Sequence, residues 1–392
     1  MSPQNSGHSA VLLINSMGTG GAERAVALAA ARLRACGRHV RVLCLERAPG
    51  DEAPNADGQI EYLSDMTTSA GPFLKLAALP LLAFRLSSYL ARHKVNAVMS
   101  HLFRANFVNV LARTLARALH TAVLVNHTRI SRLRSEGIQG RINWMLCKML
   151  YPKADSVASV SAGAAAECAM LLHLPSGRSV TLHDPIDISG AHRSASGAKP
   201  VGAIVSVGRL VGLKRYEDLI EAFARIAPDF PLLELRLVGN GPERLALERR
   251  AGASGVRDRI SFVGRVHDPF AVMAGCVAFV SSSETEGFGM AIVEALAMGI
   301  PVIASDCAYG PREILAPSTD PMLLLPPGAE IEVAQYGILY PVGSVEGLAA
   351  ALRTLLRSPE LRNELAKNGC VRAADFSVER STAEYDRLLF PA

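Results

Sequence analysis

Residues 281–304 read Ser281-Ser282-Ser283-Glu284-Thr285-Glu286-Gly287-Phe288-Gly289-Met290-Ala291-Ile292-Val293-Glu294-Ala295-Leu296-Ala297-Met298-Gly299-Ile300-Pro301-Val302-Ile303-Ala304. A strand-length apolar run, Val277–Ser281, enters an acidic, glycine-rich turn. A helical pattern, Met290–Met298, follows, and a second apolar run, Pro301–Ala304, closes the unit. Strand, helix and strand in that order make a crossover, which joins parallel strands. From Gly287 to Gly289 the backbone N–H groups precede the first helical hydrogen bonds and are open to an anion. Glu286 falls in the turn and Glu294 on the helix. Acids that complement a helix dipole account for Glu286. They do not account for Glu294, a mid-helix acid among Val293, Ala295 and Leu296, where an isolated carboxylate would be costly. Hydroxyl groups of a ligand are suitable partners for such carboxylates, and N–H groups suit a diphosphate.

The same alternation extends outward in both directions. Candidate strands are Val11–Asn15, Val40–Leu45, Ala97–Ser100, Ala122–Asn126, Ser156–Val160 and Val180–Leu182, then Ala203–Val207, Glu234–Val238 and Ile260–Val263. Helical patterns such as Glu23–Cys36 and Tyr216–Ile226 lie between them. Strands spaced by helices predict α/β domains with parallel sheets covered on both faces. A chain of 392 residues suggests two domains. The Gly/Ser/Ala-rich stretch 189–200 reads as their linker. The expected division is 1–188, linker 189–200, 201–376, and a terminal helix, 377–392, packing back on the first domain. Ligands bind at the carboxyl ends of strands in such sheets, so a site in a cleft between two facing sheets is expected.

Composition narrows the function. Hydrophobic residues make up 49% and charged residues 20%, enough for two cores and against disorder. Aromatic content of 5% argues against stacking platforms for single-stranded nucleic acid, and no nucleic-acid-binding motif occurs. The net charge of +5 is uneven. Residues 1–195 carry 21 Lys/Arg against 12 Asp/Glu, and the remainder 20 against 24. Between Arg104 and Lys153 nine basic residues face one acid, Glu136. Such a face suits solvent, an anionic acceptor or a phospholipid surface. The apolar stretch Pro72–Leu90 contains Lys75, Pro80 and Arg85, too interrupted to span a bilayer. A buried or amphipathic helix is expected there, with a membrane-surface helix as the alternative. The polar start, Met1–Ser9, carries no signal-peptide pattern. Seven scattered cysteines without a C-x-x-C pair predict free thiols in a reducing cytoplasm.

Two further elements bear on chemistry. Gly18-Thr19-Gly20-Gly21-Ala22-Glu23 follows the first strand and opens a helix, a setting for a phosphate or for a simple tight turn. Glu23 replaces the third glycine of a dinucleotide fingerprint, which disfavours an NAD-dependent oxidoreductase, although Glu46 ends the second strand where a ribose-binding acid would lie. Val207-Gly208-Arg209-Leu210 with Lys214 places two cations just after the first strand of the second domain. They suit a diphosphate leaving group or, more plainly, solvent.

Taken in this order and spacing, these elements resemble a family 4 retaining glycosyltransferase of the GT-B fold, in which two Rossmann-like parallel-sheet domains face an interdomain cleft. The resemblance covers nearly the whole chain. It rests on Gly18–Glu23, Val207–Leu210 with Lys214, the pair Glu286 and Glu294, the turn Gly299-Ile300-Pro301-Val302, and Gly310-Pro311-Arg312-Glu313-Ile314-Leu315. It implies that Arg209 and Lys214 hold the donor diphosphate. Glu286 would then contact the transferred sugar and Glu294 the nucleotide ribose. Gly18, Gly20 and Gly21 would meet phosphate or acceptor, and Gly264 and Arg265 would cradle the base. Gly287, Phe288 and Gly289 complete the donor turn. His127, after a first-domain strand, resembles the family's histidine near the acceptor, with a hydrogen-bonded packing role as the alternative; His101 is similarly placed. Asp184-Pro185 stands where relatives often carry Asn-Pro. The implied reaction passes a hexosyl or N-acetylhexosaminyl group from a nucleotide-sugar, with an N-acetylhexosamine carried by UDP as the expected donor and GDP-mannose and UDP-glucose open. The acceptor would be a glycan or polyprenyl-diphosphate-linked glycan in bacterial surface glycan assembly. No metal or other cofactor is expected, and no Asp-x-Asp occurs. A cytoplasmic location, at the inner face of the membrane if anionic lipid is contacted, follows. A nucleotide-sugar epimerase or phosphorylase, and a non-catalytic membrane-surface protein, are the rival readings.

Overall fold

The structure is a computed structural model and describes residues 8–18, 20–48, 60–69, 71–191 and 201–391. The chain divides into two compact units, Met1–Pro185 with Val378–Ala392, and Ile186–Ser377.

The first unit carries a seven-stranded sheet: β1 (Ser9–Ile14), β2 (His39–Cys44), β3 (Ile60–Tyr62), β4 (Ala97–His101), β5 (Thr121–Asn126), β6 (Ser156–Ser159) and β7 (Ser179–Thr181). Its order is β3-β2-β1-β4-β5-β6-β7, and every pair is parallel. Residues Ala10 to Ile14 of β1 are all fully buried, as a strand covered on both faces requires. The direction of strand addition reverses between β1 and β4, the switch point at which crossover helices part and leave a crevice. The terminal helix Val378–Leu389 belongs to this unit. It buries Tyr385 completely and is anchored by Arg38, whose guanidinium donates to both oxygens of Asp386 at 2.6 and 2.7 Å.

The second unit repeats the plan with β8 (Val201–Val207), β9 (Glu234–Val238), β10 (Ile260–Gly264), β11 (Cys276–Ser281), β12 (Val302–Ser305), β13 (Glu332–Ala334) and β14 (Gly337–Tyr340). Its order is β10-β9-β8-β11-β12-β14-β13, with the switch between β8 and β11. Among the described residues only the edge pair β13 and β14 is antiparallel.

Several expectations need adjustment. The first unit ends at Pro185 rather than 188, because Ile186 already belongs to the second unit, where its N–H donates to Phe376 O at 3.2 Å and it bridges Ser377. The return crossing is at Ser377/Val378. Of the linker 189–200, residues 192–200 lie outside the described residues. The stretch 72–90 is two helices, Pro72–Ala77 and Leu79–His93, because Pro80 starts a new helix at a position that tolerates its missing N–H. The second helix buries Leu79, Leu82, Ala83, Leu86 and Leu90 and exposes Leu81 and Phe84. Among the described residues no helix is long and apolar enough to cross a membrane. All seven cysteines are free.

Candidate functional site

In the second unit the functional segments grow from neighbouring strands at the switch point. The loop after β8 and the turn after β11 are fastened together through two backbone carbonyls of the loop. Glu284 N–H donates to Leu213 O at 2.8 Å, and Ser282 Oγ donates to Lys214 O at 2.7 Å. This brings Lys214 Nζ to 2.6 Å from Glu286 Oε1, and Ser283 Oγ donates to the same oxygen at 2.6 Å. The pair is half-buried, with side-chain exposures of 28% and 13%, so its attraction is only partly screened by water. Thr285 Oγ1 holds the turn from behind by donating to Ala308 O at 2.6 Å. Burial first, and the Glu286 charge second, push the Cys307 thiol up, so it is no nucleophile.

Gly208 is required here. A Cβ on it would lie 2.9 Å from the Tyr216 hydroxyl and 3.6 Å from Lys214 Cε. The turn Gly239-Asn240-Gly241 presses on the same loop. Gly239, at φ +137°, has no room for a side chain against the Gly208 carbonyl, and Leu210 N–H donates to Asn240 O at 3.0 Å. Arg209 lies exposed on this loop. Gly264, at φ +82° and at the end of β10, accepts from Gly239 N–H at 2.8 Å, and exposed Arg265 follows it.

The helix Met290–Ala297 starts at Gly289, whose φ of +108° turns the chain from strand to helix. Gly287 and Gly289 are partly exposed. Phe288 is buried, its ring edge-on to Phe376 at 5.0 Å, so this residue anchors the turn. Glu294 is 2% exposed. It is not the isolated charge that the sequence pattern suggested, since it interacts with other groups of the fold. The segment 310–315 buttresses the turn. Gly310, at φ +108°, sits where any Cβ would overlap the Phe288 carbonyl, and Arg312 forms a buried double contact with Asp306 at 2.6 and 3.0 Å. Arg312 also donates to Glu332 at 2.8 Å.

The first unit holds the remaining expected residues. Gly18, Gly20 and Gly21 follow β1 as expected, while Thr19 lies outside the described residues. The Glu23 carboxylate folds back over Gly18 and Gly20. A negative group of the chain itself therefore occupies the helix start at which a phosphate was expected. His127 follows β5 and has both ring nitrogens engaged. Nε2 is 2.9 Å from His101 Nδ1, and Nδ1 is 3.4 Å from Asp184 Oδ2. Burial first, and His127 second, hold His101 well below its ordinary pKa, so it is neutral. His101 also stacks on Tyr385 of the terminal helix at 6.0 Å. His101 and Asp184 thus hold the His127 ring in place. Glu46 is buried between Lys75 Nζ at 3.2 Å and Arg104 Nη2 at 2.8 Å, so it serves two cations rather than a ribose.

The structure thus joins Lys214 to Glu286 and sets Arg209, Gly264, Arg265, Gly287, Phe288, Gly289 and Glu294 on loops and a helix at the carboxyl edge of one sheet. Ser283 and the Gly239-Asn240-Gly241 turn were not anticipated. The paired glycines after an apolar strand were the available signal for the turn. Ser283 had none, because its partner is chosen by the turn's fold.

Two family models match the chain: Glycosyltransferase Family 4 over residues 19–189 and Glycosyl transferases group 1 over residues 192–372. The chain is 26% identical over 382 residues to N-acetylgalactosamine-N,N'-diacetylbacillosaminyl-diphospho-undecaprenol 4-alpha-N-acetylgalactosaminyltransferase of Campylobacter jejuni, covering 95% of this chain and 98% of that protein. It is 32% identical over 187 residues to the lipopolysaccharide core biosynthesis glycosyltransferase LpsE of Rhizobium meliloti, spanning 47% of this chain and about half, 49%, of that protein. Among solved structures, Anabaena HepE in complex with UDP superposes with a TM-score of 0.75 at 20% identity, covering 97% of this chain and 99% of that one. The last likeness concerns the fold alone.

Proposed function

This chain belongs to the family 4 glycosyltransferases, and on that premise we propose that it moves a hexosyl or N-acetylhexosaminyl group from a UDP-linked donor to a hydroxyl of a polyprenyl-diphosphate-linked glycan. The observation that carries the donor half is the Lys214–Glu286 contact at the β8/β11 switch point. An ammonium has three N–H donors, so Lys214 can hold Glu286 and a phosphate oxygen together. In this reading Arg209 adds a bidentate grip on the diphosphate. The N–H groups of Gly287, Phe288 and Gly289 add dipoles, Glu286 fixes the sugar hydroxyls and Glu294 the ribose, and the backbone at Gly264 and Arg265 frames the base. Negative charge grows on the departing diphosphate, so these donors act most strongly in the transition state.

The reaction proceeds with retention of anomeric configuration: the acceptor hydroxyl attacks from the leaving-group face and passes its proton to the departing phosphate oxygen. Arg209 and Lys214 supply the positive charge, and no metal ion takes part. The Gly18, Gly20 and Gly21 loop binds the anionic group only after the Glu23 carboxylate turns away. His127 acts as a positioning residue within the His101–His127–Asp184 chain.

The acceptor class is supported by the Campylobacter relative, whose name specifies a diphospho-undecaprenol-linked glycan. The enzyme works at the cytoplasmic face of the membrane. Exposed Leu81, Phe84, Ile138, Met145 and Met149 among the basic residues of the first unit support contact with anionic lipid.

The test is a thermal-shift screen over UDP-, GDP- and ADP-sugars, followed by product analysis with a labelled donor. A UDP-sugar is expected to raise Tm by mass action and to yield an α-linked product that chelator does not suppress. Stabilisation by none of the UDP-sugars rejects the donor. Inverted product rejects the stereochemistry. Conversion of the donor without an acceptor-linked product favours an epimerase, or a phosphorylase if phosphate is consumed.

A further inference from the structure

The first unit has a switch point of its own, between β1 and β4, and a cavity of about 360 Å³ opens there. Asn15 from the end of β1 and Leu102 and Arg104 from beyond β4 form its floor. Lys75 and Leu79 of the two helices in 72–93, and Asn143 of the helix Gly137–Leu150, form its walls. Most of the lining is apolar, and its two charged members are both cations.

The charge arithmetic at this cavity is unbalanced. Lys75 Nζ and Arg104 Nη2 both contact the one carboxylate of Glu46, at 3.2 and 2.8 Å, leaving one formal positive charge in a half-buried place. Lys75 spends a second donor on Thr68 O at 2.6 Å. Arg104 is less committed. Its Nη2 lies close to Glu46 Oε2, yet that oxygen accepts no hydrogen bond, and its buried Nε has no partner. A guanidinium has five N–H donors, so a single contact at Nη2 leaves others for a second anion. A surplus positive charge in the half-buried wall of a cavity favours an anionic ligand.

The apolar character continues beyond the lining. On the same helices that wall the cavity, Phe73 and Leu74 are 76% and 60% exposed, and Ile138 is 75% exposed. A ligand with an anionic head and a hydrocarbon tail fits both parts.

We propose that this cavity is the acceptor's anchoring site, in which Lys75 and Arg104 bind the diphosphate of a prenyl-diphosphate-linked glycan while its chain leaves along Phe73 and Leu74. The proposal rests on the glycosyltransferase reading and adds to it the residues that select a phosphorylated lipid over a neutral glycan. Glu46 is a positioning residue that orders the two cations.

The experiment titrates the full-length protein with farnesyl diphosphate, inorganic pyrophosphate and farnesol, and separately with UDP. Wild type is expected to bind farnesyl diphosphate at least tenfold more tightly than pyrophosphate or farnesol. Lys75→Gln and Arg104→Gln each weaken farnesyl diphosphate about tenfold to a hundredfold, the worth of one charged hydrogen bond, and leave UDP affinity unchanged. Asn143→Asp, isosteric and outside the Glu46 contacts, adds a negative wall and weakens farnesyl diphosphate likewise, which separates charge recognition from any folding defect of the first two variants. Unchanged farnesyl diphosphate affinity in all three variants overturns the site. Pyrophosphate bound as tightly as farnesyl diphosphate overturns the lipid assignment, and farnesol bound as tightly overturns the role of the cations. Absence of UDP binding with farnesyl diphosphate binding intact rejects the glycosyltransferase donor reading while the anion site stands.

Discussion

Replacing Lys214 by alanine is the most informative perturbation of the donor site. The substitution removes the ammonium at 2.6 Å from Glu286 Oε1 and spares the backbone fastening, since Lys214 N–H still donates to Val211 O and its carbonyl still accepts from Ser282 Oγ. The variant therefore folds. Two losses combine in the transition state: a charged contact to the diphosphate, and the cation that aims Glu286, which keeps only Ser283 Oγ as a partner on that oxygen. Charged hydrogen bonds are worth about 1.5–3 kcal/mol, and removing one transition-state donor costs up to about 4. The expected fall in kcat/KM is thus roughly tenfold to a thousandfold. Steady-state kinetics with varied nucleotide-sugar and saturating acceptor, with thermal melting in parallel, measure it. The double variant with Glu286→Gln adds a sharper criterion. Because the two side chains act as one unit, their losses combine with a coupling of about 1 kcal/mol or more. Near-wild-type transfer by Lys214→Ala, or additivity of the two losses within about 0.5 kcal/mol, refutes the reasoning.

Gly310→Ala is expected to destabilise the second unit by about 2 kcal/mol or more, because the new Cβ meets the Phe288 carbonyl at a φ of +108°, and to lower kcat/KM by disturbing the donor turn. Stability within about 0.5 kcal/mol of wild type in a denaturant titration would contradict this. Asp306→Ala takes the buried carboxylate from the 5%-exposed Arg312 and leaves it Glu332, which should cost about 2–3 kcal/mol in the same titration, whereas a surface pair would cost less than about 1. His120 gives the first unit a pH dependence. Burial first, and Arg113 second, lower its pKa to about 4, with Nε2 held 2.8 Å from Asn109 Oδ1. The unfolded imidazole titrates near 6.5, so between about pH 6.5 and 4 the unfolded chain takes a proton that the native state refuses. Stability is full above that window and declines through it as pH falls, by an amount on the order of 3 kcal/mol. The buried, neutral His101 adds a slope of the same sign. His120→Gln should flatten the slope, and a melting curve with unchanged pH dependence would exclude this cause.

Much of the fold was legible because core strands covered on both faces appear as unbroken apolar runs. Ten of the eleven expected strands differ from the observed ones by one or two residues at an end, and Glu234–Val238 agrees at both ends. The strands Ile60–Tyr62, Glu332–Ala334 and Gly337–Tyr340 escaped notice, since three or four residues carry too little pattern to separate a strand from a loop. The donor residues were legible for a different reason. Glycine turns and charged residues placed beside strand ends carry a chemical signature even when their partners are unknown.

By itself the sequence determined two α/β units, the helix starts at Gly18–Glu23 and Gly287–Met290, and the identity of the cations and acids near the second of these. Only the tertiary structure decided which of them meet. Lys214 and Glu286 are 72 residues apart and become neighbours because β8 and β11 lie side by side where the sheet reverses its order. The same kind of meeting spends both nitrogens of His127 on His101 and Asp184 and sets Glu46 between Lys75 and Arg104. Periodicity reports how each segment faces its core. The partners of a charge depend on strand order and loop path, and these follow from packing the segments together.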